Sequence, residues 1–227
     1  MHDPLAGSSW SAPTTVQGFS QSPPNATLMA FAGAELLRAP NGRAIDIGCG
    51  AARNAVPLAR QGWDVLGLDL SRPMLDAAEA RAAVEADPAR LRVALAPMDA
   101  LPAPDASFDL VVAHGIWNLA RSSAEFRRAV DEAARVAAPG AGLFVFTFSR
   151  NTLPPDAEPV EGEPFVFTQF SGQPQCFLTR EQLVAELARA GFVPDPGVTF
   201  TEHNLPPPGV AHTPRPPVIY EASFRRA

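Results

Sequence analysis

The sequence predicts an α/β fold in which a mostly parallel sheet of seven strands has helices on both faces and an antiparallel strand at its C-terminal end. Two observations support this fold class. Short apolar runs alternate along the chain with longer segments of helical periodicity, a spacing that favours right-handed βαβ units. Residues 108–113 form a continuous apolar run, which is typical of a central parallel strand covered on both faces. The length of 227 residues fits a single domain.

Each predicted element carries a local signal. Residues 26–38 place apolar side chains at the spacing of one helix face, and the strand at 44–47 then enters a glycine turn. The next strand, 64–70, stops before Ser71, a residue type that caps helices. The remaining predicted segments are strands at 91–98, 108–113, 143–148, 198–203 and 218–224, and helices at 53–61, 71–86, 122–137 and 179–191.

Composition excludes several classes of function. The chain has 18 Arg and no Lys against 24 acidic residues, for a net charge of −6, so we expect neither a duplex-binding surface nor any nucleic-acid partner. Without lysine there is no Schiff-base or P-loop lysine chemistry. Two cysteines are too few for a disulfide framework, and we predict no metal site. Because no apolar run reaches about 18 residues and no signal-peptide pattern is present, we expect a cytoplasmic protein without a membrane partner.

The ends of the first three predicted strands carry the most informative residues. In the turn after Asp46, Gly48 and Gly50 allow a ligand to approach the backbone, and the following helix offers N–H groups to an anion. Asp69 ends the second strand, where its carboxylate can accept hydrogen bonds from ribose hydroxyls. The sequence Met98-Asp99 follows the third strand and offers an apolar surface and an acceptor, as an adenine ring requires.

With these motifs the chain resembles the Rossmann-like S-adenosylmethionine-dependent methyltransferases, over about residues 42–148, and most closely their small-molecule and tellurite-resistance-type branch. The resemblance implies that the glycine turn surrounds the methionine moiety, that Asp69 holds the ribose and that Met98 and Asp99 hold the adenine. Ala52 stands where a third glycine is usual, which argues mildly against a pyrophosphate ligand. The full implied set for S-adenosylmethionine is Asp46, Gly48, Cys49, Gly50, Arg53, Asp69, Leu70, Met98, Asp99 and His114.

His114, at the end of the fourth strand, is the catalytic candidate. It either acts as a general base or only lines the pocket, since a base is needed only when the acceptor must lose a proton. Candidate acceptor contacts are Trp117, Phe170, Cys176 and His203. A structural role suits each of them at least equally well: core packing for the first three and a surface position at a strand end for His203.

Three of the implied cofactor residues also suit a purely structural role. Asp69 is a residue type that caps helices, and Asp99 is one that stabilises loops through its own backbone. Cys49 has no base near it in sequence, so a small buried side chain fits it better than a nucleophile.

The sequence therefore predicts in-line methyl transfer from S-adenosylmethionine to a small-molecule acceptor. A nicotinamide-dependent oxidoreductase and a noncatalytic protein that binds S-adenosylmethionine are the competing hypotheses. We divide the single domain, 1–227, into an N-terminal lid and helix (1–40), a cofactor-binding core (42–148), an inserted flap (150–177) and a C-terminal helix with a strand pair (178–227). The sequence does not predict an oligomeric state.

Overall fold

The computed structural model describes residues 3–85, 87, 89–206 and 216–227. Among these residues, eight strands form one sheet and two more form a small hairpin. The strands are β1 Arg43–Ile47, β2 Asp64–Asp69, β3 Leu91–Leu95, β4 Phe108–His114, β5 Ala137–Phe148, β6 Val166–Phe167, β7 Gln175–Cys176, β8 Phe192–Pro194, β9 Thr201–His203 and β10 Ile219–Arg226. The helices are α1 Pro13–Gln21, α2 Ala26–Arg38, α3 Ala55–Gln61, α4 Arg72–Glu85, α5 Ser123–Val136 and α6 Arg180–Arg189.

The sheet order is β3-β2-β1-β4-β5-β10-β8, and β9 pairs with the other half of the β10 edge. Strands β1 to β5 are parallel, whereas β10 is antiparallel to β5. The predicted fold class is thus confirmed. Strand order reverses between β1 and β4, and in open α/β sheets ligands bind at the carboxyl ends of the strands beside such a point.

Two apolar layers cover the sheet. On one face α2, α3 and α4 bury Leu28, Val56 and Leu75 against the strands. On the other face α5 and α6 bury Phe126 and Leu187. Both faces of the central strands are therefore dry, which explains their continuous apolar sequence.

Helix caps set the helix starts. The Ser122 side chain accepts from the Glu125 N–H at the start of α5, and Thr179 with Gln182 forms a complete capping box at α6. Asn25 caps α2, with its side chain accepting from the Leu28 N–H.

The structure differs from the predicted elements in several places. Helix α1 was not predicted because its sequence is polar and buries no residue. The third strand ends at Leu95 rather than at position 98, shortly before Pro97, which has no N–H to donate to a ladder. Strand β8 is only three residues long, too short for a recognisable alternation. Residues 86 and 88, at the predicted end of α4, lie outside the described residues.

Residues 150–177, the predicted inserted flap, are anchored to the rest of the domain by apolar contacts. They contain the β6–β7 hairpin, and Phe165, Val166 and Cys176 are buried in the same apolar layer as α5 and α6. Within the described parts of the chain, no helix has the length and apolar character needed to cross a bilayer.

Candidate active site

The turn after β1 has a backbone that favours glycine. Gly48 and Gly50 have φ angles of 73° and 53°, in the left-handed region. A Cβ at Gly48 would also lie 2.8 Å from side-chain atoms of Ile116, so a larger residue does not fit there. Ala52, at the position of the usual third glycine, has a φ of 57° and is one of the non-glycine residues in this region. The turn therefore places backbone without side chains, at Gly48 and Gly50, at the carboxyl end of β1.

Asp69 ties this turn to the end of β2. One carboxylate oxygen, Oδ2, accepts the Gly50 N–H at 2.9 Å, and the other, Oδ1, accepts the Ser71 N–H at 2.8 Å. Burial raises the pKa of Asp69, against these backbone hydrogen bonds, which favour the ionised form. The cap of α4 is a different contact, because the Ser71 hydroxyl accepts the Met74 N–H at 3.3 Å.

Asp46 lies beneath the turn with only 1% of its surface exposed. Burial raises the pKa of Asp46 to about 7, and the nearby Arg53 charge opposes that rise. Its Oδ2 atom is buried and has no hydrogen-bond partner among the described residues. Unpartnered buried carboxylate oxygens are rare, and such an oxygen is suited to a cationic group of a ligand.

Cys49 is buried, and its Sγ donates to the Gly50 carbonyl oxygen at 3.6 Å. Burial, with Asp46 and Asp69 nearby, raises the pKa of this thiol well above its usual value. The thiol is therefore protonated, which favours the small buried side chain over a nucleophile.

The predicted adenine contacts follow β2 and β3 on the same edge of the sheet. Asp69 pairs with Leu95 in the sheet register, so Leu70 and Met98 come just after neighbouring strand ends. Met98 packs partly buried against the core. Asp99 has an ionic partner in this structure: Arg128 donates to its Oδ2 at 3.0 Å.

An N-terminal segment packs over the ends of β1 and β2. A Cβ at Gly50 would lie 3.5 Å from Cδ1 of Phe19 in α1. The hydroxyls of Ser11 and Ser71 are 2.9 Å apart, and Oδ1 of Asp3 accepts the Arg72 N–H at 3.2 Å.

His114 ends β4 in a crowded polar environment. Its ring stacks on Phe146 at a centroid distance of 4.1 Å. Nη2 of Arg53 lies 3.2 Å from Nδ1 and 3.1 Å from Nε2, and Nδ2 of Asn25 lies 3.3 Å from Nε2. Burial and the Arg53 charge lower the pKa of His114 to about 4. A neutral ring whose Nε2 faces two donors is a weak base at neutral pH, which favours a pocket-lining role over general-base catalysis.

Sequence reasoning missed two residues of this cluster, Asn25 and Glu221. Oε2 of Glu221 accepts a hydrogen bond from Nδ2 of Asn25 at 2.7 Å. Glu221 carries a sequence signal, since it is an acidic residue within the otherwise apolar segment 218–224. Asn25 has the weaker signal of an N-cap residue type before a helix.

The four predicted acceptor contacts fall in different surroundings. Trp117 and Cys176 are fully buried in the apolar layer of α5 and α6, which favours core packing for both. Phe170 packs its ring against Phe148 at 5.2 Å, with part of its surface exposed. His203 lies at the end of β9, with Nε2 3.3 Å from Oε1 of Glu221. The structure therefore brings His203, but not Trp117 or Cys176, into contact with the cluster around His114.

Comparison with known proteins identifies the family of the chain. Residues 45–146 match the family model of the methyltransferase domain. The demethylmenaquinone methyltransferase of Thermus thermophilus is 31% identical over 175 residues, which are 69% of this chain and 76% of the relative. The ubiquinone/menaquinone biosynthesis C-methyltransferase of Geotalea daltonii is 29% identical over 123 residues, which are 52% of this chain and 51% of the relative. The chain therefore spans only about half the length of that relative.

A solved structure shares the fold. The S-adenosylmethionine-dependent methyltransferase from Mesorhizobium loti matches with a TM-score of 0.63 and 21% identity, covering 86% of this chain and 98% of that one. The identity to the Thermus protein, over more than two thirds of both chains, shows that the two proteins belong to one family. The chain therefore belongs to the family of S-adenosylmethionine-dependent methyltransferases, whose cofactor is S-adenosylmethionine.

Proposed function

We propose that this chain transfers a methyl group from S-adenosylmethionine to a small-molecule acceptor by in-line displacement. The observation that carries the proposal is the meeting of three groups at neighbouring strand ends. These are the bare backbone at Gly48 and Gly50, the carboxylate of Asp69, and the His114–Arg53 pair. The site lies beside the point where strand order reverses, between β1 and β4.

The residues fit the cofactor's charge. The unpartnered, buried Oδ2 of Asp46 suits the ammonium group of the methionine moiety. Gly48, Cys49 and Gly50 would surround that moiety through their backbone, and Asp69 would accept hydrogen bonds from the ribose hydroxyls. Leu70, Met98 and Asp99 would border the adenine. Asp99 would then share its carboxylate between Arg128 and the adenine amine.

The N-terminal segment is part of this proposal. Its contacts with Gly50, Ser71 and Arg72 cover the ends of β1 and β2, so the cofactor enters only when residues 3–21 move. The segment then packs over bound cofactor and limits the access of water. This is the role expected of the lid in the predicted division of the domain.

The cofactor supplies an activated methyl group on a positively charged sulfur. The protein's main contribution is then to hold the donor and acceptor in line, which supplies on the order of 7–11 kcal/mol. His114 and Phe146 form a flat wall where the acceptor approaches, and burial, together with the nearby Arg53 charge, keeps His114 neutral.

We infer that the acceptor is a small aromatic molecule. The rings of Phe148, Phe170 and Phe177 lie within 5.2–5.7 Å of one another at the end of β5, and the first two are partly exposed. The names of the two relatives above refer to quinone biosynthesis and to demethylmenaquinone, which agrees with a ring acceptor. The resemblance to the tellurite-resistance-type branch stays a prediction, as does a cytoplasmic location.

The test is a labelling experiment. The purified protein is incubated with clarified cell extract and S-adenosylmethionine carrying an isotope-labelled methyl group, and mass spectrometry searches for a newly labelled metabolite. We expect one labelled product with the wild type and clearly less of the same product with Asp69→Ala at the same protein concentration, when S-adenosylmethionine is kept too dilute to saturate the variant. If the protein binds S-adenosylhomocysteine but labels nothing, it is a noncatalytic binding protein. If it binds NADH more tightly than S-adenosylhomocysteine, the cofactor assignment is wrong.

A further inference from the structure

A row of side chains crosses the sheet beyond the cofactor site. His114 on β4 pairs with Phe146 on β5, and Phe146 pairs with Glu221 on β10. Two residues further along β5, and so on the same face, Phe148 pairs with Ile219 of β10, and Ile219 pairs with His203 on β9. Residues that pair directly across strands share a face of the sheet. His114, Glu221, Phe148 and His203 therefore share one face at the carboxyl edge of β4 and β5.

Glu221 is the centre of this row. Only 6% of its surface is exposed. Burial favours the neutral form, but hydrogen bonds from Asn25, Thr27 and His203 outweigh burial and hold the pKa of this carboxyl below its usual value. Glu221 is thus an ionised carboxylate, nearly buried, on the acceptor side of the site.

Asn25 determines which way the hydrogen bonds run. Its Oδ1 accepts the Leu28 N–H at 2.8 Å, so its Nδ2 is the atom that faces Glu221. The same Nδ2 lies 3.3 Å from Nε2 of His114 and donates to it. The basic nitrogen of His114 is therefore covered by donors, and this ring is not available to take a proton from the acceptor.

His203 has the opposite arrangement. Its Nε2 faces Oε1 of Glu221 at 3.3 Å, so Nε2 carries the hydrogen and Nδ1 carries the lone pair, to which no residue in the described part of the chain donates. The side chain of His203 is 45% exposed, which leaves room for an acceptor. A carboxylate that orients an imidazole and stabilises its charged form is the arrangement used by general bases in many enzymes.

We propose that His203, oriented by Glu221, is the general base of the reaction and that the acceptor carries a phenolic or enolic hydroxyl. This proposal rests on the proposed function. The hydroxyl proton passes to Nδ1 of His203, and the resulting phenolate or enolate forms a bond to the methyl carbon. The carbon–sulfur bond breaks with its electron pair going to sulfur, which leaves S-adenosylhomocysteine. The imidazolium beside Glu221 then releases its proton to solvent.

The chemistry of the surroundings selects this acceptor class. A thiolate needs no base, whereas a phenol or enol becomes a much better nucleophile when it loses its proton. Phe148 lies in the same row as His203 and offers a partly exposed ring to an aromatic acceptor. Glu221 is the positioning residue, since it acts through His203.

The test compares variants in the labelling experiment, with labelled S-adenosylmethionine and cell extract as the acceptor source. We expect His203→Gln to lower the rate at pH 7 by about 100-fold or more, with partial recovery near pH 10, where the acceptor ionises by itself. Affinity for S-adenosylhomocysteine, measured by calorimetry, stays within about twofold of wild type because His203 does not touch the cofactor. Glu202→Gln is the matched control: Glu202 is the preceding residue on β9 and binds Ser149 and Asn151 instead. This control keeps wild-type activity.

Glu221→Gln tests the positioning role through the split between kcat and KM. Loss of the carboxylate removes the contact that orients the His203 ring, so kcat falls by about tenfold or more, whereas KM for S-adenosylmethionine stays within about twofold of wild type. Within the described residues, the charged group that faces His203 is Glu221 on β10; Arg53 and His114 lie beyond Asn25, and Glu202 faces the other side of the sheet. A Glu221→Gln kcat within about threefold of wild type overturns the role of Glu221.

The two proposals fail in different ways. A His203→Gln rate within threefold of wild type, or a labelled product that derives from an acceptor without a phenolic or enolic hydroxyl, overturns this inference and leaves methyl transfer intact. A wild-type protein that labels nothing overturns the proposed function as well.

Discussion

Replacement of Asp69 by alanine is the perturbation whose effect on cofactor binding follows most directly from the structure. Its carboxylate lies where β2 ends and already orients the turn through the Gly50 N–H at 2.9 Å. When cofactor binds, the same carboxylate would accept from the ribose hydroxyls. Hydrogen bonds to a charged group contribute about 1.5–3 kcal/mol, so Asp69→Ala should weaken binding of S-adenosylhomocysteine by about 10- to 150-fold.

The variant also loses stability, and this must be separated from binding. The N–H groups of Gly50 and Ser71 lose their acceptor, at a cost of about 1–3 kcal/mol in the free energy of unfolding. Calorimetric titration is therefore done at a temperature where urea unfolding shows the variant fully folded. Asp76→Asn is the matched control, because it removes a carboxylate from the exposed face of α4 and should leave affinity within about twofold.

The pH dependence gives a second readout of the same carboxylate. Burial raises the pKa of Asp69, and ribose recognition needs the ionised form. Wild-type affinity should therefore fall as the pH is lowered through this raised pKa, and the Asp69→Ala variant should lack that part of the decline. A folded Asp69→Ala variant with wild-type affinity would refute the assignment of this residue to the ribose.

Two further predictions concern stability. Because the pKa of Asp46 rises from 3.8 unfolded to about 7 folded, the ionised carboxylate destabilises the cofactor-free fold above pH 7 by at most about 4 kcal/mol, and this loss vanishes as the pH falls toward 4. Asp46→Asn should therefore unfold at higher urea than wild type at pH 8 but not at pH 4; equal midpoints at pH 8 would contradict the burial argument. Gly48→Ala should lower the free energy of unfolding by about 2–5 kcal/mol, because the φ of Gly48 is 73° and the new Cβ would contact Ile116. Gly33→Ala in α2 has open space around the new Cβ and should raise the free energy of unfolding by about 0.5–1 kcal/mol. Equal effects of the two substitutions in urea unfolding would refute the steric reasoning.

Local signals explain why the strand ends that form the proposed cofactor side could be predicted from sequence. The glycine turn lies within a few residues of Asp46, and Asp69 ends the next strand, so both follow from the pattern of one βαβ unit. The parallel sheet was predictable because continuous apolar runs such as 108–113 occur where both faces are buried. These inferences need no knowledge of which distant segments meet.

The acceptor side depends on contacts between segments far apart in the chain. Asn25, His114 and Glu221 meet only because α2 packs over β4 and β10 at one edge of the sheet. No local pattern states that Asn25 will cover the basic nitrogen of His114, so the sequence favoured His114 over His203 as the base. Helix α1 was missed for a related reason: it buries no apolar face, and its position depends on contacts with α4.

The central claim is that the cofactor's nucleoside lies across the ends of β1 and β2. The most direct measurement is a crystal structure of the protein with S-adenosylhomocysteine. We expect both ribose hydroxyls within hydrogen-bond distance of the Asp69 carboxylate, the sulfur beside the turn at Gly48 and Gly50, and Phe19 displaced from its present position near Gly50. A nucleoside bound elsewhere, or a ribose without contact to Asp69, would contradict the account.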